Sequence, residues 1–572
     1  MFTESKKSLL VYYLAPISIM TNSFTIAVSD KIIQQAPALF NASLTDIFTE
    51  LLQNSRRAGA QSVKITMEKR NETDWIIFQD DGIGFFSNGV EIILGGSGWE
   101  ESIQKSEYPA GMGIFSLANR GCHMDANHKH IELEQDHFTG SKPVKITESN
   151  YAQGTMIAFP LLDTDLRFTS IETIIIESTQ YYPIPVSFQG HILPLRSFLE
   201  NAVHVEEWKG LEIGVCEYRG HKINFYGLTI CTKLPTLVGC FDGSSIINLY
   251  ISINVKNCPH LRLTLPSRKE VVHNEFFDQL NDQCLEVMYR YLQQLGTHYL
   301  NFADYSDALQ KEIMLPPAKA QLLSFEPQIA DTEHFASYNL LTLEGQKQYW
   351  LVELRETPAI EQAFFRAFKR AHPGIILLTF NENMVGYDWY DALPKITEAT
   401  ITVNYGDTKY PLSEIPSDIV EQRPTSIAMT LVVDNLKDKP QIDTIPLDVA
   451  LWDCEGGMYY DDLSSFEIFI PKSSTISVDA IVTLMIDSFF VYCDDGDADS
   501  YDTQREYFRT EAEFQIMNIV NKAKAIESRI ENYVSQHISW LVSSGKKCTI
   551  TIDKTNMSTP ANISVNISDT KS

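Results

Sequence analysis

Apolar residues recur at Leu44, Ile47, Phe48, Leu51 and Leu52, a spacing that predicts an amphipathic helix over "LTDIFTELLQNSRRAGA" with a stop at Gly59. "QSVKITMEK" then alternates as a strand, and "DWIIFQDDGIGF" reads as a second strand running into a glycine turn. Gly95, Gly96 and Gly98 mark a flexible segment, and "GMGIFSLANRG" reads as a short buried helix after another glycine turn. "HIELE", "VKITE" and "GTMIAFPL" are strands, so residues 1–160 read as an α/β sandwich with helices on one side of a mixed sheet.

Residues 161–300 repeat the mixed character. "PIPVSF", "LEIGVCEY", "KINFYGLTI" and "INLYISINV" alternate as strands, and the helix "NEFFDQLNDQCLEVMYRYLQQL" closes the block. A break near "LPPAKAQ" opens a third, mixed α/β region, 301–572, with a helix at "IEQAFFRAFKRA" and a long helical pattern over about 503–542. The tail after Lys547 reads as short strands, and no internal repeat is seen.

Composition narrows the class. The 572 residues are 44% hydrophobic and 21% charged, enough for buried cores and roughly three domains. A net charge of -28 argues against broad nonspecific contact with DNA, RNA or anionic membrane. The nine cysteines form no CxxC pair and read as reduced thiols of a cytoplasmic protein. "KKSLLVYYLAPISIM" mimics a secretory signal, but no small-residue cleavage site follows and "SFTIAV" reads as a strand. No other stretch approaches the ~20 apolar residues of a membrane span.

Glu50 and Asn54 stand at i and i+4, on one helix face. An amide oxygen suits Mg²⁺, and a carboxylate beside it can take a proton from water. A solvated surface pair explains the two residues equally simply. "DDGIGF" puts a carboxylate where the backbone turns sharply, able to accept a hydrogen bond from an amino group such as that of adenine. An ordinary Asp-Gly turn is the bland alternative. "PAGMGIFSLA" opens a helix with two glycines, which suits phosphate, or else tight packing. The Gly-Thr of "GTMIAF" is uninformative alone.

Taken in order, the motifs are Glu-x-x-x-Asn on a helix, Asp-x-Gly-x-Gly after a strand, a glycine-rich segment, Gly-x-Gly before a helix, and Gly-Thr on a strand. This resembles the Bergerat-type ATP-binding fold of the GHKL superfamily: DNA gyrase, the ninety-kilodalton heat-shock chaperones, histidine kinases and MutL. "ELLQNSRRAGAQSVKITM" resembles the MutL form of the first motif and "GMGIFS" the chaperone form of the third. The resemblance covers about residues 25–160. It implies that Glu50 is the general base, Asn54 the Mg²⁺ ligand, and Asp80 the acceptor of the adenine amino group. By the same resemblance Gly82 and Gly84 let the backbone approach the nucleotide, and Phe85 to Ala110 form an ATP lid. Gly111, Met112 and Gly113 bring the backbone to the phosphates, and Thr155 sits beside Asp80. No Walker-type Gly-Lys-Ser/Thr loop is present in the required form.

Where MutL relatives have Asp in Asn-x-x-Asp, this chain has Arg57. Arg57 either pairs with Glu50 and quiets the base, or faces away. Asp81 is a milder variation at a position where relatives have Asn or Thr. Relatives follow the ATPase domain with a transducer or middle domain that inserts a cation into the γ-phosphate site. "LRLTLPSRKEVV" is the best local candidate, with Arg268 as phosphate sensor and Lys269 as second choice. A strand-end basic cluster on the surface fits the same residues.

"GCHMDANHKHIELEQDHF" holds one cysteine and four histidines, but the implied strand and the spacings match no common zinc pattern. Asp495, Asp497, Asp499 and Glu506 mimic a calcium loop, with Ser500 in the required glycine position and Asp502 in an apolar slot. An acidic solvated loop is the better reading. No helix pair with a phospho-acceptor histidine precedes the ATPase motifs, which disfavours a histidine kinase.

The expectation is therefore a Mg-dependent ATPase that couples nucleotide binding to lid closure and domain rearrangement, chaperone-like or MutL-like, with ATP-dependent homodimerisation. The C-terminal region would hold a protein client or partner. Acidity leans toward protein, nucleic acid stays open, and no membrane role is expected. The alternative is a nonhydrolysing ATP sensor or interaction scaffold, which Arg57 supports.

Overall fold

The computed structural model describes residues 43–84, 113–162, 165, 170–218, 220–241, 246–264, 270–330, 339–434, 440–453, 463, 466–493, 498–554 and 561–569. The apolar run near the first residue, "SFTIAV", the segment from Phe85 to Met112, and Arg268 with Lys269 lie outside these residues, as do Asp495 and Asp497. The chain is mixed α/β. It divides into two compact units, Met1–Thr297 with Ala308–Leu315, and His298–Asp307 with Pro316–Ser572.

The first unit begins with α1, Leu44–Arg57. Ser43 caps it reciprocally: its hydroxyl accepts from the Asp46 amide at 3.2 Å, and the Asp46 carboxylate accepts from the Ser43 amide at 3.2 Å. Asp46 in the first turn and Arg56 and Arg57 in the last complement the helix dipole. Leu44, Ile47, Phe48, Leu51 and Leu52 are all buried, as the periodicity requires.

This stripe packs on an eight-stranded sheet made of β1 Val63–Arg70, β2 Thr73–Asp80, β3 Cys122–Ala126, β4 Lys129–Leu133, β5 Ile146–Glu148, β6 Thr155–Pro160, β7 Val186–Phe188 and β8 His191–Ile192. Its order is β5-β4-β3-β6-β2-β1-β7-β8. Every neighbouring pair is antiparallel except β1 and β7. The β1–β2 and β3–β4 hairpins close through two-residue turns, Asn71-Glu72 and Asn127-His128, with positive φ at both positions. That turn type matches the strand twist. "PIPVSF", read from the sequence as part of the second block, pairs with β1 instead. The 3-10 helix Gly113–Leu117 and α2, Ile171–Thr179, cover the same face as α1.

A second sheet of the first unit comprises β9 His204–Trp208, β10 Leu211–Cys216, β11 Lys222–Phe225, β12 Leu228–Cys231, β13 Leu237–Phe241 and β14 Ile246–Val255. The order is β12-β11-β14-β10-β9, with β13 also on β14. The helix α3, Glu275–Leu295, covers it; Asn274 caps its start and left-handed Gly296 ends it.

In the second unit, β17 Gln348–Val352, α5 Pro358–Ala371 and β18 Ile375–Thr379 form a parallel β-α-β crossover. It follows α4, Phe302–Gln310, and a short hairpin, β15 Gln321–Leu323 with β16 Leu340–Thr342. The sheet continues from β17 to long antiparallel strands spanning 395–447. The helices α6, Val478–Phe489, and α7, Tyr501–His537, share a separate core around Phe490 and Phe508. The expected long helix is interrupted at Asn521, whose backbone leaves the helical region. Its side-chain oxygen accepts from the Lys524 amide at 3.2 Å and so starts the second half as a cap. Among the described residues no helix is long and apolar enough to cross a membrane, and Cys122, Cys216, Cys231, Cys258, Cys284, Cys493 and Cys548 are free thiols.

Candidate active site

Strand alternation sorts β2 and β6 into two faces. Ile76 and Phe78 of β2 and Ile157 and Phe159 of β6 belong to the core under α1. Asp80 and Thr155 continue those two rows and stand opposite each other across the strand pair. Both therefore face the helix side, at the rim of the core.

Asp80 is 8% exposed. One carboxylate oxygen accepts from the Ser55 hydroxyl at 3.0 Å, and the other from the Gly82 amide at 2.9 Å. Burial pushes its carboxyl above the usual carboxylate range, against these hydrogen bonds and one from the Thr155 backbone, while neighbouring Asp81 adds to the rise. A carboxylate has about four lone-pair sites, so three donors still leave acceptor capacity. Asp81 does a different job. It caps the entry to β1, accepting from the amides of Gln61 and Ser62 at 2.6 and 3.0 Å and from the Ser62 hydroxyl at 2.8 Å. Although desolvation opposes it, the bonds from Ser62 and Gln61 hold Asp81 below the ordinary range.

The turn after β2 lies against the end of α1, where the Ile83 amide donates to the Ala58 carbonyl at 3.0 Å. A methyl on Gly82 would meet Ala58 at 2.7 Å. Gly154, just before Thr155, has φ +79, and a methyl there would stand 1.9 Å from the Asp80 carbonyl oxygen. Gly154→Ala is expected to force β2 and β6 apart at the Asp80–Thr155 pair. The strained φ and the clash together should cost at least ~1–3 kcal/mol. A denaturant melt showing less than half a kcal/mol of loss would mean that the loop relaxes freely.

Glu50 and Asn54 form a second group one turn earlier on α1. A methyl on Gly113 would lie 3.0 Å from Asn54 Nδ2 and 3.0 Å from Glu50 Oε2, so the start of the 3-10 helix faces both side chains. Arg57 is 8% exposed and donates from Nη1 to Asn54 Oδ1 at 3.2 Å. The oxygen expected to hold a cation thus already accepts from one. Neighbouring positions of α1 engage the second sheet: Gln53 Nε2 donates to the Tyr226 carbonyl at 2.8 Å, and the Arg56 guanidinium lies 3.9 Å from the centre of the Tyr226 ring.

Of the residues singled out in the sequence, Glu50, Asn54 and Gly113 meet in one group, and Asp80, Gly82 and Thr155 in the other. Gly84, at φ +81, packs against Asn127 and the Gly154 carbonyl. Gly111, Met112, Arg268 and Lys269 lie outside the described residues. Ser55 escaped the sequence reading, and Gly154 entered it only as half of an uninformative Gly-Thr. Ser55 followed Asn54 in plain view, but only the tertiary packing aims its hydroxyl at Asp80.

No model of a known protein family matches the chain, and no curated protein matches it.

Proposed function

We propose that the first unit binds Mg-ATP in a Bergerat-type site between α1 and the β2–β6 pair, and hydrolyses it. The observation that carries this reading is the placement of two carboxyl groups on one face. Asp80 is buried and held by Ser55 and Gly82, while Glu50 faces Gly113. A nucleotide lying along α1 would meet Asp80 with its adenine amino group and Glu50 with its phosphate end. Glu50 would then serve as general base and Asn54 would bind Mg²⁺. Gly82, Gly84, Gly111, Met112 and Gly113 would bring backbone to the ligand, with Thr155 beside the base. Residues 161–300 would act as transducer, with Arg268, or else Lys269, sensing the γ-phosphate. Residues 301–572 would engage a protein client or partner in a chaperone-like or MutL-like cycle.

The test begins with calorimetry of Mg-ATP binding and steady-state hydrolysis by the full chain. Glu50→Ala is expected to retain binding and lose turnover by ~10² or more, since only the proton acceptor is removed. Turnover within a few-fold of the unaltered chain would remove Glu50 from the role of base, and no binding by the unaltered chain would end the reading.

One observation favours a second reading, a nonhydrolysing ATP sensor. The Arg57 guanidinium sits on the Asn54 oxygen at 3.2 Å, where it competes with Mg²⁺ for the same ligand atom. Tight ATP binding with no hydrolysis by the unaltered chain would favour that alternative.

A further inference from the structure

The opposite face of the same sheet carries a different chemistry. The Asn127-His128 turn folds β4 back on β3, so that His123 stands across from Glu132 and Asp125 across from His130. Cys122, Met124, Ala126, Ile131 and Leu133 fill the core face, and alternation sends the four polar side chains to the outer one. The ligand atoms of His123, His130 and Glu132 all lie within 4.8 Å of one another.

We propose that His123, His130 and Glu132 form a binding site for a divalent transition-metal ion of the zinc class, with solvent completing the coordination. Two imidazoles and one carboxylate are a known zinc donor set when a fourth position is left to water. In a closed tetrahedral site the donor atoms would stand about 3.4 Å apart, from metal–ligand bonds of about 2.0–2.2 Å. The remaining distance is closed by Glu132, whose side chain is 64% exposed and free to rotate.

Asp125 supplies the independent support. Its carboxylate lies 3.0 Å from His130 Nδ1 and itself accepts from the Ser149 hydroxyl at 2.6 Å. A proton on Nδ1 leaves the Nε2 lone pair outward, toward Glu132 Oε1 at 3.5 Å. Two acceptors facing each other call for something positive between them. This is the carboxylate–histidine–metal arrangement, in which the outer carboxylate fixes tautomer and ring orientation. Asp125 is thus a positioning residue, not a ligand. Two nearby cations are engaged elsewhere: Arg70 is paired with Glu68 and laid over Trp75, 4.8 Å from its ring centre, and Lys142, which also feels Glu132, is paired with Glu134 at 2.6 Å. Trp75 in turn meets the His123 ring edge-on at 5.0 Å. The site lies on the outer face of the sheet and does not rest on the nucleotide reading.

The experiment uses the full chain, stripped with chelator and titrated with Zn²⁺ against a chromophoric competitor, then with Co²⁺ for its visible spectrum. One high-affinity site with a nitrogen–oxygen cobalt spectrum is expected, together with quenching of tryptophan fluorescence that weakens in Trp75→Phe. Asp125→Asn should retain the cobalt spectrum and lower affinity ~10–100-fold. His123→Ala and His130→Ala should each lower it further, with circular dichroism unchanged because the side chains leave the core untouched. The proposal fails if the unaltered chain does not bind Zn²⁺, which would leave a proton between His130 and Glu132. It also fails if the double histidine variant binds as tightly, or if a thiolate-to-cobalt band assigns the ion to cysteines.

Discussion

Arg120→Ala is expected to destabilise the first unit by about 3–5 kcal/mol, the usual result of removing one partner from a buried ion pair. The Arg120 and Asp165 side chains are 5% and 6% exposed, and Nη2 donates to Oδ1 at 2.8 Å while Nη1 reaches the other oxygen. Asp165 also accepts from the Leu162 amide at 2.7 Å, so it fixes the chain just after β6. Removing the guanidinium leaves the Asp165 carboxylate, 6% exposed, without its cationic partner. The melting temperature should fall by on the order of 10 °C. Replacing both partners, Arg120→Met with Asp165→Leu, should recover much of the loss, because no charge is then left buried. The pH dependence carries its own sign. Desolvation alone would raise the Asp165 carboxyl, but the bonds from Arg120 and Leu162 outweigh it and hold it below the usual range. A depressed acid contributes stability above its unfolded value of about 3.9 and loses it as pH falls through the folded value. Calorimetric melts from pH 7 down to pH 3 should show that loss in the unaltered chain. A change under 1 kcal/mol for Arg120→Ala would mean that solvent already screens the pair.

Asp80→Asn should separate stability from function. Under the proposed nucleotide reading, Mg-ATP affinity falls by ~10²-fold or more, because an ionised acceptor becomes a carboxamide whose NH₂ faces another donor. The fold should not suffer. The amide oxygen can keep the Gly82 amide, and the new NH₂ can donate to the Ser55 hydroxyl, which also reaches the Leu51 carbonyl at 3.0 Å. Burial raises the folded Asp80 carboxyl. An acid raised on folding contributes least when ionised: its stability is present below the unfolded value and lost as pH rises through the folded one. The variant should therefore melt at or above the unaltered chain at pH 7, with the gap closing below about pH 4. Unchanged affinity by calorimetry would refute the placement of adenine at Asp80. A lowered melting temperature at neutral pH would show that the carboxylate is structurally required.

Local pattern carried much of the first unit. The stripe from Leu44 to Leu52 and the alternation of β1 and β2 are written in neighbouring residues, and so was the stretch of α3 that ends at Leu295. What escaped depends on pairing between distant segments. The strand in "PIPVSF" was legible, but its partner was not, since a short strand can pair wherever an edge is open. The break at Asn521 was hidden because hydrophobic period says little about a capping side chain. In the candidate site, Glu50, Asn54, Asp80 and Thr155 stood out by order, whereas the Asp80–Ser55 bond needs the helix laid on the sheet. The histidine-rich stretch was noticed and set aside for lack of a zinc spacing, because its geometry too depends on pairing. His123, His130 and Glu132 have no helical or zinc-loop spacing, and become neighbours only when the two-residue turn sets the register.

The helix α1 has almost no idle side. Its apolar stripe lies on the sheet, Ser55 holds Asp80, Glu50 and Asn54 face Gly113, and Gln53 and Arg56 grip the Tyr226 turn of the second sheet. Such a segment has little room to drift. A change at one position is felt by a neighbour serving another purpose, so divergent versions of this chain should alter α1 in concert with its contacts, Gln53 with the 225–226 turn and Ser55 with residue 80. A library randomised across 50–57 should return few functional members, and those few should be rich in paired second-site changes.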